Sequence, residues 1–142
     1  MDQRVSLITL GVADMEKSAQ FYQAIGRVLV ETDDGIKVFD LIGQTLGLYP
    51  IEALARELGL PVEALGKGGG VLSNNVRKKE DVQPVLDAAA AAGGKIIKNA
   101  EDIFWGGHHG HFEDLDGHIW EIAWNPFSEL GPNGEFQWNG VG

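Results

Sequence analysis

The sequence predicts an α+β fold built from two β-α-β-β-β modules, and three observations carry that reading. A β-hairpin near the end of the chain has both its strands and its turn marked in the residues. Each half opens on an apolar strand followed by a helix with apolar residues on one stripe. In each half, three short β segments then follow that helix. Residues 4–50 form the first module, residues 70–126 the second, and residues 127–142 a C-terminal tail, all within a single domain spanning 1–142.

The hairpin lies within Trp105 to Asn125. Asp114-Leu115-Asp116-Gly117 is the turn, and both flanks alternate polar and apolar residues with period two. Gly117 accepts the left-handed backbone that closes a three-residue loop with a bulge. That loop sets Asp114 opposite His118, Glu113 opposite Ile119, Phe112 opposite Trp120 and His111 opposite Glu121. One face then carries Phe112, Trp120, Ile122 and Trp124, and the other His109, His111, Glu121 and Ala123. A slip of one residue mixes the two sets, so their separation supports this register. The apolar face requires a cover, and the polar face is the candidate site.

The other elements follow in order. Val5–Val12 reads as a mostly buried strand, and Asp14 is placed as N-cap of a helix over Met15–Ile25 with Ser18, Phe21, Tyr22 and Ile25 on one stripe. Arg27–Thr32, Ile36–Leu41 and Thr45–Tyr49 are strand candidates, with Asp33-Asp34-Gly35 a turn between the first two. Ile51–Leu58 reads as a helix stopped by Gly59 and Pro61, and 61–70 as a linker with a flexible glycine end. Val71–Val76 is a strand. Glu80–Ala92 is a helix that tolerates Pro84 only in its first turn. Lys95–Lys98 is a short strand leading to the hairpin. Arg77-Lys78-Lys79 reads as a solvated helix entrance, and Phe127, Leu130, Phe136 and Trp138 of the tail require a surface to cover.

Eleven Lys and Arg against 21 Asp and Glu give a net charge of −10. Such a field repels phosphate backbones and anionic membranes, so no nucleic-acid or membrane partner is expected. Without cysteine there is neither a disulfide nor thiol chemistry. Met1-Asp2-Gln3-Arg4 does not begin a secretory signal and no run of 18 apolar residues occurs, so the cytoplasm is the expected location.

Val12-Ala13-Asp14-Met15-Glu16-Lys17-Ser18-Ala19-Gln20-Phe21-Tyr22, followed by Gly26, resembles the V-x-D-x-x-x-S-x-x-F-Y opening of the vicinal-oxygen-chelate superfamily, which holds glyoxalases, bleomycin-resistance proteins and extradiol dioxygenases. Phe112-Glu113-Asp114-Leu115-Asp116-Gly117-His118-Ile119-Trp120-Glu121 resembles its closing F-x-D-P-D-G-x-x-x-E hairpin, with Leu115 in place of proline. The resemblance covers Val5 to Pro126. It implies a glyoxalase-like fold, with curled mixed sheets forming a cleft, helices outside, and a homodimer completing it. It also implies a divalent ion acting as Lewis acid, held by His and carboxylate ligands. The implied ligand positions fall on Leu7, near Leu46, on Val71 and on Glu121. Three of these have no lone pair to donate, so the usual metal site is expected to be missing and no cofactor is expected.

Two function classes follow. In the first, a small-molecule-binding protein without the usual metal site holds its ligand with Thr9, Ser73, Asn75, Trp105, His109, His111 and Glu121. In the alternative, a glyoxalase-like lyase or isomerase uses Glu121 and His111 as catalytic groups, with His109, His111 and Glu121 as ligands of a divalent metal such as Zn, Ni, Mn or Fe. His111, directly opposite the Glu121 carboxylate, is expected to titrate above the ordinary value of about 6.5. His108 and His118 are expected to lie apart from the site, on the other face and at the turn.

Overall fold

The computed structural model describes residues 1–30 and 35–141, which divide into two compact units, Met1–Lys67 and Gly68–Gly142. The boundary falls inside the glycine-rich segment 61–70. The structure is α+β, with one mixed sheet in each unit.

The first unit begins with β1 (Leu7–Val12). Helix α1 (Met15–Ala24) starts where the Asp14 carboxylate accepts a hydrogen bond from the Lys17 amide at 3.0 Å, and it buries Ser18, Ala19, Phe21 and Tyr22. Strands β2 (Lys37–Asp40) and β3 (Thr45–Pro50) complete a sheet of order β1-β3-β2, parallel between β1 and β3 and antiparallel between β2 and β3. Helix α2 (Ile51–Leu58) follows directly and packs on β1 and β3. The strand expected over Arg27–Thr32 is not formed over its described part. The Arg27 amide is used by the end of α1, bonding the Tyr22 carbonyl at 2.9 Å, and Val30 makes only an isolated bridge to Val38. Residues 31 and 32 lie outside the described residues, as do Asp33 and Asp34 of the expected turn.

The second unit follows the order β-α-β-β-β. Its elements are β4 (Val71–Asn75), α3 (Val82–Ala91), β5 (Lys95–Asp102), β6 (His108–Glu113) and β7 (Ile119–Trp124), in a sheet ordered β4-β7-β6-β5. Strand β4 runs parallel to β7, and the other neighbours are antiparallel. The hairpin register is the one its turn dictates, with His111 opposite Glu121 and Phe112 opposite Trp120. Helix α3 packs on β5, β6 and β7, burying Phe112, Trp120 and Ile122 beneath Val82, Leu86 and Ala89. Trp124, at the end of the same face, is half-buried.

Gly110 makes that close packing possible. A Cβ at this position would collide with Leu86 and lie 2.8 Å from the Lys98 carbonyl oxygen. The absence of a side chain on the helix side of β6 thus brings α3 onto the strand directly between His109 and His111.

Three local expectations need correction. The helix expected over Glu80–Ala92 is tighter at its start, a 3-10 turn over Lys79–Asp81 before α3 proper, which keeps Pro84 in the first α-helical turn. Strand β5 runs four residues past Lys98, but two register shifts interrupt it, between Ile96 and Lys98 and between Lys98 and Glu101. The Ala100 amide, released from the ladder there, donates instead to Gln83 Oε1 on α3 at 2.8 Å. Arg77 is not simply solvated. Its guanidinium donates to the carbonyls of Gly131 at 2.6 Å and Pro132 at 3.1 Å, pinning the tail, while Lys79 pairs with Asp102. The tail aromatics Phe127 and Trp138 remain largely exposed. Among the described residues, no helix is long and apolar enough to cross a membrane.

Two substitutions separate the faces of this sheet. Trp120→Ala should lower the unfolding free energy by about 3–5 kcal/mol in urea titrations, while Glu121→Gln on the other face should change it by about 1 kcal/mol or less. Equal losses would show the faces to be wrongly assigned. Gly110→Ala should cost about 1–3 kcal/mol, because the Lys98 backbone next to the added methyl cannot swing aside as a side chain would. An unchanged denaturation midpoint would mean that α3 does not press on β6.

Candidate functional site

The candidate site is the face of the second sheet turned away from α3. Period-two alternation along β6 and β7 sends His109, His111, Glu121 and Ala123 to that face, and the parallel pairing of β4 adds Ser73 beside Glu121 and Asn75 beside Ala123. Three strands therefore line up Ser73, Glu121 and His111 in one row, with Asn75, Ala123 and His109 in the next. Fixing the groups on neighbouring strands of one ladder holds them more firmly than a loop would.

Glu121 is the centre of this arrangement. Its Oε1 accepts a hydrogen bond from the Ser73 hydroxyl at 2.7 Å, and its Oε2 lies 2.7 Å from His109 Nδ1. His111 Nε2 stands 3.6 Å from the same Oε2, beyond good hydrogen-bond length. The two imidazoles meet edge to face with ring centroids 4.8 Å apart. Burial alone would raise the Glu121 carboxyl, but the hydrogen bonds from Ser73 and His109 and the two nearby imidazoles outweigh it and hold the group below its usual value. The carboxylate is thus ionised and acts as acceptor, so His109 Nδ1 carries the donated proton.

The expected titration of His111 is reversed by this geometry. Burial and the neighbouring His109 depress it, and together with Lys98 they outweigh the upward pull of Glu121 and Glu101. The direct cross-strand position does place His111 beside Glu121, but the diagonal His109 takes the short hydrogen bond. Cross-strand register fixes which residues are neighbours; side-chain rotamers decide which of them bond.

Among the other residues expected at the site, Asn75 is half-buried one row along the same face. Trp105 lies outside the cluster, its ring laid over Gly107, where any Cβ would collide with it. Thr9 belongs to the first unit, exposed on β1 opposite Gly47. His108 pairs with Asp102, Nδ1 to Oδ1 at 2.9 Å, away from the cluster. Sequence reasoning missed Lys98 and Glu101. The irregular β5 sets Lys98 opposite His111 and Glu101 opposite His109, and the two side chains form an ion pair with each other. The bulges that place them also erased the alternation that would have extended the strand past Lys98.

The superfamily's usual ligand positions do not fit a metal. Leu7, Leu46 and Val71 are hydrocarbon; Leu46 is fully buried in the first unit, and Val71 is 49% exposed opposite Ile119. A different donor set does fit. One ligand atom each from His109, His111 and Glu121 all lie within 4.8 Å of one another.

The comparisons agree with the fold. The model of the Glyoxalase/Bleomycin resistance protein/Dioxygenase superfamily matches residues 4–122, and the chain belongs to that superfamily. A glyoxalase-related enzyme from Fulvimarina pelagi is 34% identical, with 96% of this chain and 98% of that one covered and a TM-score of 0.87. A glyoxalase/bleomycin resistance protein/dioxygenase family enzyme from Burkholderia phytofirmans PsJN is 21% identical over 85% and 98% of the two chains, with a TM-score of 0.76. Lactoylglutathione lyase from Agrobacterium tumefaciens shares the fold at 17% identity, covering 88% and 96%, with a TM-score of 0.67. Comparison with curated proteins gives no match.

The depressed His111 makes a signed prediction for chelator-treated protein. The fold favours neutral His111, so that stabilisation is complete above the unfolded value of about 6.5 and is lost as pH falls through the lower folded value. In an NMR pH titration, the His111 imidazole should titrate below about 6.5. Glu121→Gln should lower it further, because the carboxylate is its strongest upward influence. A value above 6.5 in the wild type, or a rise in the variant, would contradict this account of the cluster.

Proposed function

We propose that this superfamily member binds a small organic molecule on the face of its second sheet turned away from α3, without the superfamily's usual metal site. The ligand presents a hydrogen-bonding head to Ser73, His109, His111 and Glu121. The observation that carries the reading is the Glu121 cluster, in which both carboxylate oxygens are engaged and two half-buried imidazoles adjoin them, on the face turned away from α3. Val71 and Ile119 occupy the same face one row before Ser73 and Glu121, so apolar surface adjoins the polar cluster. That combination suits a ligand with an apolar or aromatic body and one polar end, the usual composition of a small-molecule site. The small side chain of Ala123 opposite His109 leaves room above the imidazole.

A second reading is a glyoxalase-like lyase or isomerase in which Glu121 removes a proton and His111 supplies or shuttles one. The ionised carboxylate favours it, since a base must be free of its proton before reaction. The relative from Fulvimarina pelagi, described as a glyoxalase-related enzyme, points the same way.

A thermal-shift screen of metabolites tests the binding reading. A ligand at about 100 times its Kd should raise Tm by on the order of 10 °C in the wild type. The shift should shrink markedly in Glu121→Gln and Ser73→Ala, while the unliganded Tm moves little. A ligand that stabilises wild type and both variants equally binds elsewhere and defeats the assignment. Turnover of a stabilising compound, lost in Glu121→Gln, would select the enzyme reading.

A further inference from the structure

We propose that His109, His111 and Glu121 form a binding site for a divalent first-row transition-metal ion, built from residues other than the superfamily's usual ligand set except for Glu121. It lies at the polar end of the proposed binding face but does not depend on an organic ligand being found.

Four observations carry it. The first is distance. Donors bound to one small ion at about 2.0–2.2 Å are themselves about 3.0–3.4 Å apart. The His109 Nδ1–Oε2 separation of 2.7 Å and the His111 Nε2–Oε2 separation of 3.6 Å bracket that range, and all three donors lie within 4.8 Å of one another. Small side-chain rotations bring them to one centre with the backbone unchanged. The second is donor chemistry. Two imidazole nitrogens and one carboxylate oxygen suit Zn, Ni, Co, Mn or Fe, and discriminate against Mg and Ca, which prefer all-oxygen sites.

The third is the support around the ligands. Ser73 holds Oε1 and so orients the carboxylate, leaving Oε2 toward the two imidazoles, the outer-sphere arrangement that metal carboxylates use. His111, half-buried, has no hydrogen bond among the described residues and so has a ring nitrogen available. The fourth is charge. Lys98, the cation nearest on β5, is neutralised by its ion pair with Glu101, so the site faces an ion as a net anion within a chain of charge −10. On binding, the ion takes the place of the proton between His109 and Glu121, and the neutral imidazole carries its proton on Nε2 instead, so that Nδ1 is free to ligate. Three protein ligands leave positions open for water or a ligand oxygen.

The test uses Co(II) alone, added to the full chain after chelator treatment, with visible absorption and calorimetry as readouts. One Co(II) per chain should bind with d–d bands and resist a hundredfold excess of Mg(II). His109→Ala, His111→Ala and Glu121→Ala should each weaken binding by at least about 100-fold, and Ser73→Ala by about tenfold. His108→Ala, which alters a histidine paired with Asp102 instead, should leave it within about twofold. Metal-free melting curves check that the variants fold; where an alanine variant does not, His111→Gln supplies the same loss of binding. Wild type that binds Co(II) no better than millimolar, or binding that survives His111→Ala, overturns the site. So does equal loss in His108→Ala. Because no organic molecule is present, failure here leaves the small-molecule reading standing, and an empty metabolite screen leaves this site standing.

Discussion

The organisation of the second unit depends on one turn. The buried Asp114 carboxylate accepts hydrogen bonds from the amides of Asp116 and His118, both at 2.9 Å, while the Asp114 amide donates to the His118 carbonyl. Gly117 closes the loop at a φ of +84°, a conformation that costs other residues appreciable strain. These contacts fix how many residues the loop spends, and that number fixes the register of β6 against β7. A slip of one residue would flip β7 against β6, turning Trp120 and Ile122 away from α3 and driving Glu121 beneath it while Phe112 and His111 kept their places. The turn therefore decides at once where the core lies and which groups face outward.

The two faces are also coupled through Gly110. Its missing side chain lets Leu86 of α3 and the backbone of β5 close in on β6. The histidines on either side project to the opposite face. Close packing on one side thus stiffens the strand that carries the candidate site on the other, and Gln83 adds to this by bonding the released Ala100 amide at the bulge in β5. That bulge is also what brings Glu101 opposite His109. Core packing and site geometry are consequences of the same few contacts.

The parts of this structure legible in the sequence are those governed by short-range rules. The Asp114–Gly117 turn, the N-cap at Asp14 and the helix over Ile51–Leu58 each rest on chemistry within a few residues, and all three are found where expected. Segments whose conformation depends on distant partners were less readable. Arg27 to Val30 has strand-like composition, but the Arg27 amide is already committed to α1. Strand β5 hides its length because two register shifts destroy its alternation. The partnership of Ser73 with Glu121 required knowing that β4 pairs with β7 in parallel and in which register, which neither strand states alone. The exchange of His111 for His109 as the bonded imidazole is finer still, since both share one face and only rotamers distinguish them.

A half-buried carboxylate is costly unless its surroundings compensate, and the Glu121 cluster shows more compensation than a structural role calls for. A residue that served only to fill the sheet surface would be no worse as threonine or valine. Instead Ser73 from β4 and His109 from β6 converge on its two oxygens, and His111 stands 3.6 Å away without a hydrogen bond among the described residues. Burial and the adjoining imidazole disfavour a proton on His111. The face consequently holds an oriented anion beside an unprotonated base, on strands made rigid by the packing behind them. That combination is the physical reason to look for an ion or a ligand that completes it.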